Sequence, residues 1–191
     1  MKLDAKTLVG CFVRLEPLEP RHYEGLKRAI EADQEIWQLY PFDMRGKHFD
    51  AWAERTAANM ARGDAIAYAV LHGGAVIGVS VFVVIDTPNR RVEMGNTYYR
   101  PDMRGGMVNP ESKFLMLQQA FDSGVHCVQL RVDASNARSR AAVTKLGAKQ
   151  DGILRQDRIT WTGRTRDTVI FSILSEEWPD VRAKLLARLS A

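Results

Sequence analysis

Two neighbouring stretches decide the fold: Arg91-Val92-Glu93-Met94-Gly95-Asn96-Thr97-Tyr98-Tyr99, and after a short connection Arg104-Gly105-Gly106-Met107-Val108-Asn109-Pro110. The first alternates as a strand, which predicts Glu93, Gly95, Thr97 and Tyr99 on one face. The second passes through two glycines into a helix start. There Asn109 is suited to cap free amides, and Pro110 lacks an N–H that the first turn leaves unpaired anyway. Phe114, Leu117, Gln118 and Phe121 carry that helix to Gly124, and Val125 to Val132 reads as the next strand. Glycine allows positive φ and close approach of a ligand, and a helix N-terminus offers free amides and a positive dipole end, so the loop is suited to an anion. It has neither the Lys-Ser/Thr of a triphosphate loop nor the three spaced glycines of a dinucleotide fingerprint, and a plain turn is the bland alternative.

Working outward, Cys11 to Leu18 reads as a first strand ending at prolines, and Pro20 opens a helix with Tyr23, Leu26 and Ile30 on one stripe. Ile36 to Phe42 is aromatic and broken by Pro41, hence a loop; a second helix is predicted from Phe49 to Ala61. Ala65 to Leu71 and Ala75 to Ile85 flank Gly73-Gly74, the turn of a hairpin. Ser135-Asn136 caps a helix carrying Ala142, Val143 and Leu146 and stopped by Gly147. Ile153 to Trp161 and Thr165 to Leu174 close a last hairpin, and a C-terminal helix follows at about 175–190. The expectation is one α/β (α+β) domain over 1–191: a mixed, mostly antiparallel seven-stranded sheet with helices on both faces.

The 191 residues, 46% hydrophobic and 26% charged, suit one globular domain and argue against disorder. No apolar run approaches a membrane helix, and the first residues do not form a signal peptide, so no membrane partner and a cytoplasmic location are expected. Cys11 and Cys127 form no metal or disulfide pattern, and four scattered histidines have no metal spacing, so no metal is expected. The net charge of +4 is uneven: residues 131–167 hold nine Lys and Arg against four Asp. Such a region suits a polyanionic ligand or a solvated face; without interleaved aromatics, a nucleic-acid partner is disfavoured.

Following a strand, Asp133-Ala134-Ser135-Asn136-Ala137-Arg138-Ser139-Arg140 opens the helix that ends Leu146-Gly147-Ala148. With the glycine loop, Val13-Arg14-Leu15, Gly78, Glu93-Met94-Gly95, Gly152-Ile153-Leu154-Arg155 and Glu177-Trp178, it resembles the GNAT superfamily of acetyl-CoA-dependent N-acetyltransferases, in particular the branch that acetylates ribosomal-protein N-termini. The resemblance covers nearly the whole chain and implies two splayed central parallel strands that admit the pantetheine arm of acetyl-CoA. Its amides would pair with the first of these strands, around Asn96, Thr97 and Tyr98, whose backbone would also polarise the thioester. The diphosphate would rest on amides of Arg104, Gly105, Gly106, Met107, Val108 and Asn109. The family's loop pattern Q/R-x-x-G-x-G/A falls on Asp102 to Met107, so both outer positions differ. Asn136 matches the asparagine that bonds pantetheine, with helix capping as its structural role. Arg138, Arg140 and Lys145 are candidates for neutralising phosphates.

By the same resemblance Glu93 is the base that acts on the amine, and a salt bridge is the bland reading. Ser139 matches a serine near the leaving sulfur, while the tyrosine many members carry is Val143 here. Trp37, Tyr40 and Phe42 are candidates for an acceptor wall, with core packing as their alternative. The implied reaction is direct attack of a primary amine on acetyl-CoA, with a protein N-terminus favoured over a small molecule. A CoA-binding protein without catalysis is the rival from another class. Monomer and homodimer both stay open.

Overall fold

The computed structural model describes residues 1–190. In chain order the elements are β1 (Leu8–Val9), β2 (Arg14–Pro17), α1 (Tyr23–Glu31), α2 (His48–Ala61), β3 (Ile66–His72), β4 (Ala75–Asp86), β5 (Arg91–Tyr99), α3 (Val108–Asp122), β6 (Cys127–Asp133), α4 (Ala137–Leu146), β7 (Lys149–Ile159), β8 (Thr165–Leu174) and α5 (Trp178–Leu189). They form one sheet in the order β1-β2-β3-β4-β5-β6-β8-β7, antiparallel except for β5 and β6.

Helices cover both faces. On one side α3, α4 and α5 bury Met116, Leu117, Val143 and Val181 against Val92, Met94, Leu130 and Phe171. On the other, α1, α2 and the turn at Trp37 bury Leu26, Ile30, Phe49 and Trp52 against Val79, Val81 and Tyr98. That second layer stops at β5, and the face over β6 and β8 carries polar side chains such as Arg131, Arg166 and Thr168.

The parallel pair is short. Only Arg91, Val92 and Glu93 of β5 pair with Cys127, Val128 and Gln129 of β6. Beyond them β5 continues to Tyr99 beside β4, and β6 continues to Asp133 beside β8, so the two strands part. The expected splay is present.

Eight strands form where seven were expected. The extra one is the two-residue β1, too short to show a period, held by Leu8 opposite Leu15 and Val9 opposite Arg14. The expected strand Cys11–Leu18 contracts to Arg14–Pro17 because the amides of Cys11, Phe12 and Val13 go elsewhere. Each donates at 2.7 Å to the carboxylate of Glu111 on α3. This buried anion, within the first turn of α3, fixes the chain before β2 to the helix that opens at the glycine loop.

The strand alternation also fails locally in β5. Val79 faces Tyr98 while Val81 faces Gly95, so Ser80 stands opposite both Asn96 and Thr97. This is a β-bulge, and Asn96 has φ +47°. It moves Tyr99 onto the face of Met94 and turns Thr97 away from the face of Glu93, which corrects the single-face expectation. Asn109 is a second correction. The helix starts at Val108 with Met107 as its cap residue, no side chain caps it, and Asn109 lies inside the first turn.

A Cβ at Gly10 would lie 2.3–2.7 Å from the three carboxylate atoms of Glu111. Gly10→Ala is therefore expected to displace this carboxylate from its three amides and to cost about 2 kcal/mol. At this size that lowers Tm by roughly 4–8 °C. Thermal denaturation checks it, and an unchanged Tm would contradict the clamp.

Candidate active site

Where β5 and β6 part, a cavity of about 400 Å³ opens. Its walls come from both strands, the glycine loop, the start of α4, the turn around Tyr40 and residues of the last hairpin. Glu93, Asn96, Thr97, Arg104, Gly105, Gly106, Asn109, Asn136, Ser139 and Tyr40 all line it. They are brought together from strand β5, two strand–helix junctions and one loop.

At one end the chain passes from β5 through a short turn into Arg104 and the glycines. The amide of Arg104 is already used, donating to Pro101 O at 3.2 Å, so it does not belong to the predicted cradle. The amides of Gly105, Gly106, Met107, Val108 and Asn109 donate to no backbone acceptor among the described residues. They are the free donors of a helix start. Gly105 has φ +83°, and a Cβ on either glycine would meet nothing within 4 Å, so the approach to these amides is open. Asp102, whose charge stands at an outer position of the loop, is bound by Arg100 at 2.6 and 2.8 Å and turned to that partner. Arg104 itself is locked: Nε donates to Tyr99 O, Nη1 pairs with Asp33 at 2.6 Å, and the guanidinium lies over the Tyr98 ring.

In the middle stands a residue that sequence reasoning passed over. Lys113 reaches from α3 to the bulge, donating to Ser80 Oγ at 3.1 Å and Thr97 Oγ1 at 2.5 Å. Among the described residues no carboxylate pairs with it, and burial holds its pKa down to about 7. The signal was present: Lys113 precedes Met116, Leu117 and Ala120 on the buried face of α3, where a charged residue is out of place.

At the other end Glu93 projects into the cavity beside Arg131, whose Nε lies 3.3 Å from Glu93 Oε2. Burial raises the Glu93 pKa above the usual carboxylate value, against the opposing charges of Arg131, Arg158 and Arg166. A carboxylate shifted upward is a stronger base, which favours proton abstraction. Opposite, Asn136 caps α4 by accepting the Ser139 amide at 2.9 Å, and both residues face the cavity.

Six expected site residues lie off this wall. Trp37 is fully buried, stacked on Tyr98 at 4.9 Å, and so belongs to the core. Tyr98 is equally buried and donates to Ala29 O. Phe42 packs on the same core cluster, Val108 is in the core on the other face, and Met107 caps α3. Arg140 turns back to Ala134 O at 3.0 Å, whereas Arg138 and Lys145 do line the cavity. Of the aromatic trio Tyr40 alone lines it, its hydroxyl donating to Thr97 O.

Among the described residues, three buried side-chain polar atoms have no hydrogen-bond partner: Tyr99 Oη, Arg104 Nη2 and Arg131 Nε. All three residues line this cavity. Buried polar atoms are rarely left unpaired, and here all of those found cluster on residues around one cavity.

A family model of the acetyltransferase (GNAT) domain matches residues 13–149. The chain belongs to the GNAT family. It is similar to a GCN5-related N-acetyltransferase from Brucella melitensis, at 28% identity over 97% of this chain and 86% of that one, with a TM-score of 0.87. A Chromobacterium violaceum protein described as a GNAT-family acetyltransferase is 30% identical over 94% of this chain and 91% of that one, with a TM-score of 0.86. RimJ of Mycobacterium smegmatis, solved with CoA-disulfide, shares the fold at 21% identity, covering 96% and 94% of the two chains with a TM-score of 0.84. No curated protein matches the sequence significantly. As a GNAT enzyme the protein transfers acetyl from acetyl-CoA to an amine. No helix among the described residues is long and apolar enough to cross a membrane.

The GNAT cleft thus carries a lysine whose folded-state pKa lies below the unfolded value of about 10.4. Between pH 7 and 10 the unfolded chain binds the extra proton, so this site adds stability as pH rises through that window. Urea unfolding of the parent and of Lys113→Met at several pH values is expected to show the difference shifting in the parent's favour toward pH 10. A difference independent of pH would contradict a neutral buried Lys113.

Proposed function

We propose that this GNAT enzyme acetylates an α-amino group, with a protein or peptide N-terminus as the acceptor and Glu93 as the base. The observation that carries the reading is the parting of β5 and β6 just beyond Glu93, which leaves that carboxylate lining the cavity. Acetyl-CoA, when bound, supplies the acyl group activated as a thioester.

The residues fit such a co-substrate. The free amides from Gly105 to Asn109 and the positive end of α3 suit its diphosphate, with Arg138 and Lys145 adding charge nearby. The edge of β5 beyond Glu93, unpaired toward β6, suits an extended amide-bearing arm laid along it as an added strand. The bulge at Asn96–Thr97, tied to Lys113 and Tyr40, fixes the backbone where a thioester carbonyl would be polarised. Ser139 and Asn136 at the head of α4 face the arm from the opposite wall.

Proton bookkeeping favours an α-amine. Such a group has a pKa of about 7.7–8, a lysine side chain about 10.4. A carboxylate raised only by burial can deprotonate the first far more readily; the gap of roughly 2.5 units is worth about 3.4 kcal/mol. With Glu93 holding the ammonium and taking its proton, the neutral amine is left to attack. A thiol with a pKa near 8.5 leaves without full protonation, so Val143 in place of a tyrosine is tolerable.

Peptides with a free α-amine are expected to be acetylated, and Nα-blocked peptides carrying one lysine to react at least tenfold more slowly. Equal rates would overturn the α-amine reading. Glu93→Gln is expected to lower kcat/KM roughly 100-fold near neutral pH, with the deficit shrinking above pH 9, where the amine is already neutral. A deficit constant across pH would remove Glu93 as base. Gly105→Val, forced to positive φ and crowding the amides, is expected to raise the acetyl-CoA Kd roughly tenfold or more by calorimetry. Unchanged affinity would put the diphosphate elsewhere.

A further inference from the structure

We propose that the acceptor carries a carboxylate a few bonds from its reacting amine, and that Arg131, Arg158 and Arg166 form the subsite that receives it. This rests on the α-amine reading and narrows it to a substrate class.

The three arginines come from three strands yet face one place. Arg131 on β6 alternates with Leu130 and Val132, and Arg166 on β8 precedes Val169 and Phe171 in the same alternation. Those apolar residues fill the α3 side of the sheet, so both arginines stand on the opposite face, the one Glu93 shares. Arg158 on β7 is the register partner of Arg166. With Glu93 they line the same cavity, at the face that no helix covers.

Their counter-charges are already committed. Asp133 binds Arg164 and accepts from the Ser135 amide and hydroxyl, leaving Arg166 at 3.8 Å. Asp157 pairs with Arg158 at 3.1 Å and accepts from Thr168. Among the described residues Glu93 is the carboxylate within ion-pair distance of Arg131, with Asp157 acting on it from further away, and Arg131 Nε, 3.3 Å from Glu93, is buried without a hydrogen bond. Four guanidiniums thus share three carboxylates, and the Arg131 side chain lines the cavity with its Nε unbonded. Burial lowers the pKa of Arg166, Arg158 adds to this, and Asp133 opposes it, as expected of a guanidinium short of anions. A carboxylate entering here would complete a charge-assisted pair.

Position sets the spacing. A carboxylate on Arg131 would sit within a few bonds of an amine held by Glu93, given the 3.3 Å between those side chains. Trp161 at the tip of the β7–β8 hairpin donates to Trp37 O at 2.8 Å and ties the hairpin to the turn before Tyr40. The matching chemistry has two sources: the side chain of a peptide's first acidic residue, or the α-carboxylate of a free amino acid.

The test compares acetyl transfer to peptides beginning Asp or Glu with the same peptides beginning Asn or Gln, and to free glutamate and alanine with their α-amides. The parent enzyme is expected to favour the carboxylate form in at least one series by tenfold or more in kcat/KM. Preference in the peptide series assigns the side-chain source; preference in the amino-acid series assigns the α-carboxylate. Arg131→Gln is expected to remove the preference through KM for the acid acceptor, with the acetyl-CoA Kd unchanged. Arg158→Gln, on a more exposed side chain that tolerates replacement, is expected to reduce the preference several-fold. Equal kcat/KM for acid and amide forms in both series, or a preference untouched by both variants, would overturn the subsite alone. No transfer to any α-amine by an enzyme that binds acetyl-CoA would overturn the α-amine reading and the subsite with it.

Discussion

The structure depends on a parallel pairing that stops early. β5 and β6 share three register positions and then separate, each held by its antiparallel neighbour on the far side. A sheet normally saturates its backbone groups along the full strand; here the strands beyond Glu93 and Gln129 are unpaired toward each other and line the cavity. Everything else keeps that gap open and fixes what faces it. Glu111 secures the start of α3 against the residues before β2, and Lys113, two residues further on, holds the bulge of β5. One helix turn therefore fixes both the glycine loop and the neighbouring backbone of β5.

Electrostatics divides the cavity into two ends. Toward the glycine loop, positive character comes from free amides, with Arg104 held by Tyr99 O and Asp33 through Nε and Nη1. Toward Glu93, it comes from guanidiniums that outnumber their carboxylates. Between the two lies an uncharged stretch: the bulge, the hydroxyls of Ser80 and Thr97, and a lysine that burial pushes toward its neutral form. The three unpartnered buried polar atoms, Tyr99 Oη, Arg104 Nη2 and Arg131 Nε, are spread over these parts.

Local chemistry made much of this legible in the sequence. The Gly73-Gly74 hairpin, the Asn136 cap and the strand carrying Glu93 all follow from short-range rules, and the structure keeps them. What escaped depends on partners distant in the chain. Glu111 binds amides about a hundred residues away, and this shortens the first long strand. Asn109 resembled a cap because only its neighbours were visible; the helix in fact starts one residue earlier and leaves its amides free. Trp37 and Tyr40, three residues apart, looked alike as aromatic wall candidates, yet packing on Tyr98 takes the first into the core and leaves the second at the cavity. The bulge at Asn96 was invisible to a period of two, which it interrupts. Polar residues in the apolar stripe of α3 were the one overlooked signal within reach.

Amide hydrogen exchange with and without saturating acetyl-CoA tests the central claim most directly. If the gap between β5 and β6 receives the co-substrate, exchange slows in two segments together, residues 94–99 along the released strand edge and residues 105–109 at the loop. Protection confined to other segments, with both of these unchanged at saturation, would contradict the account.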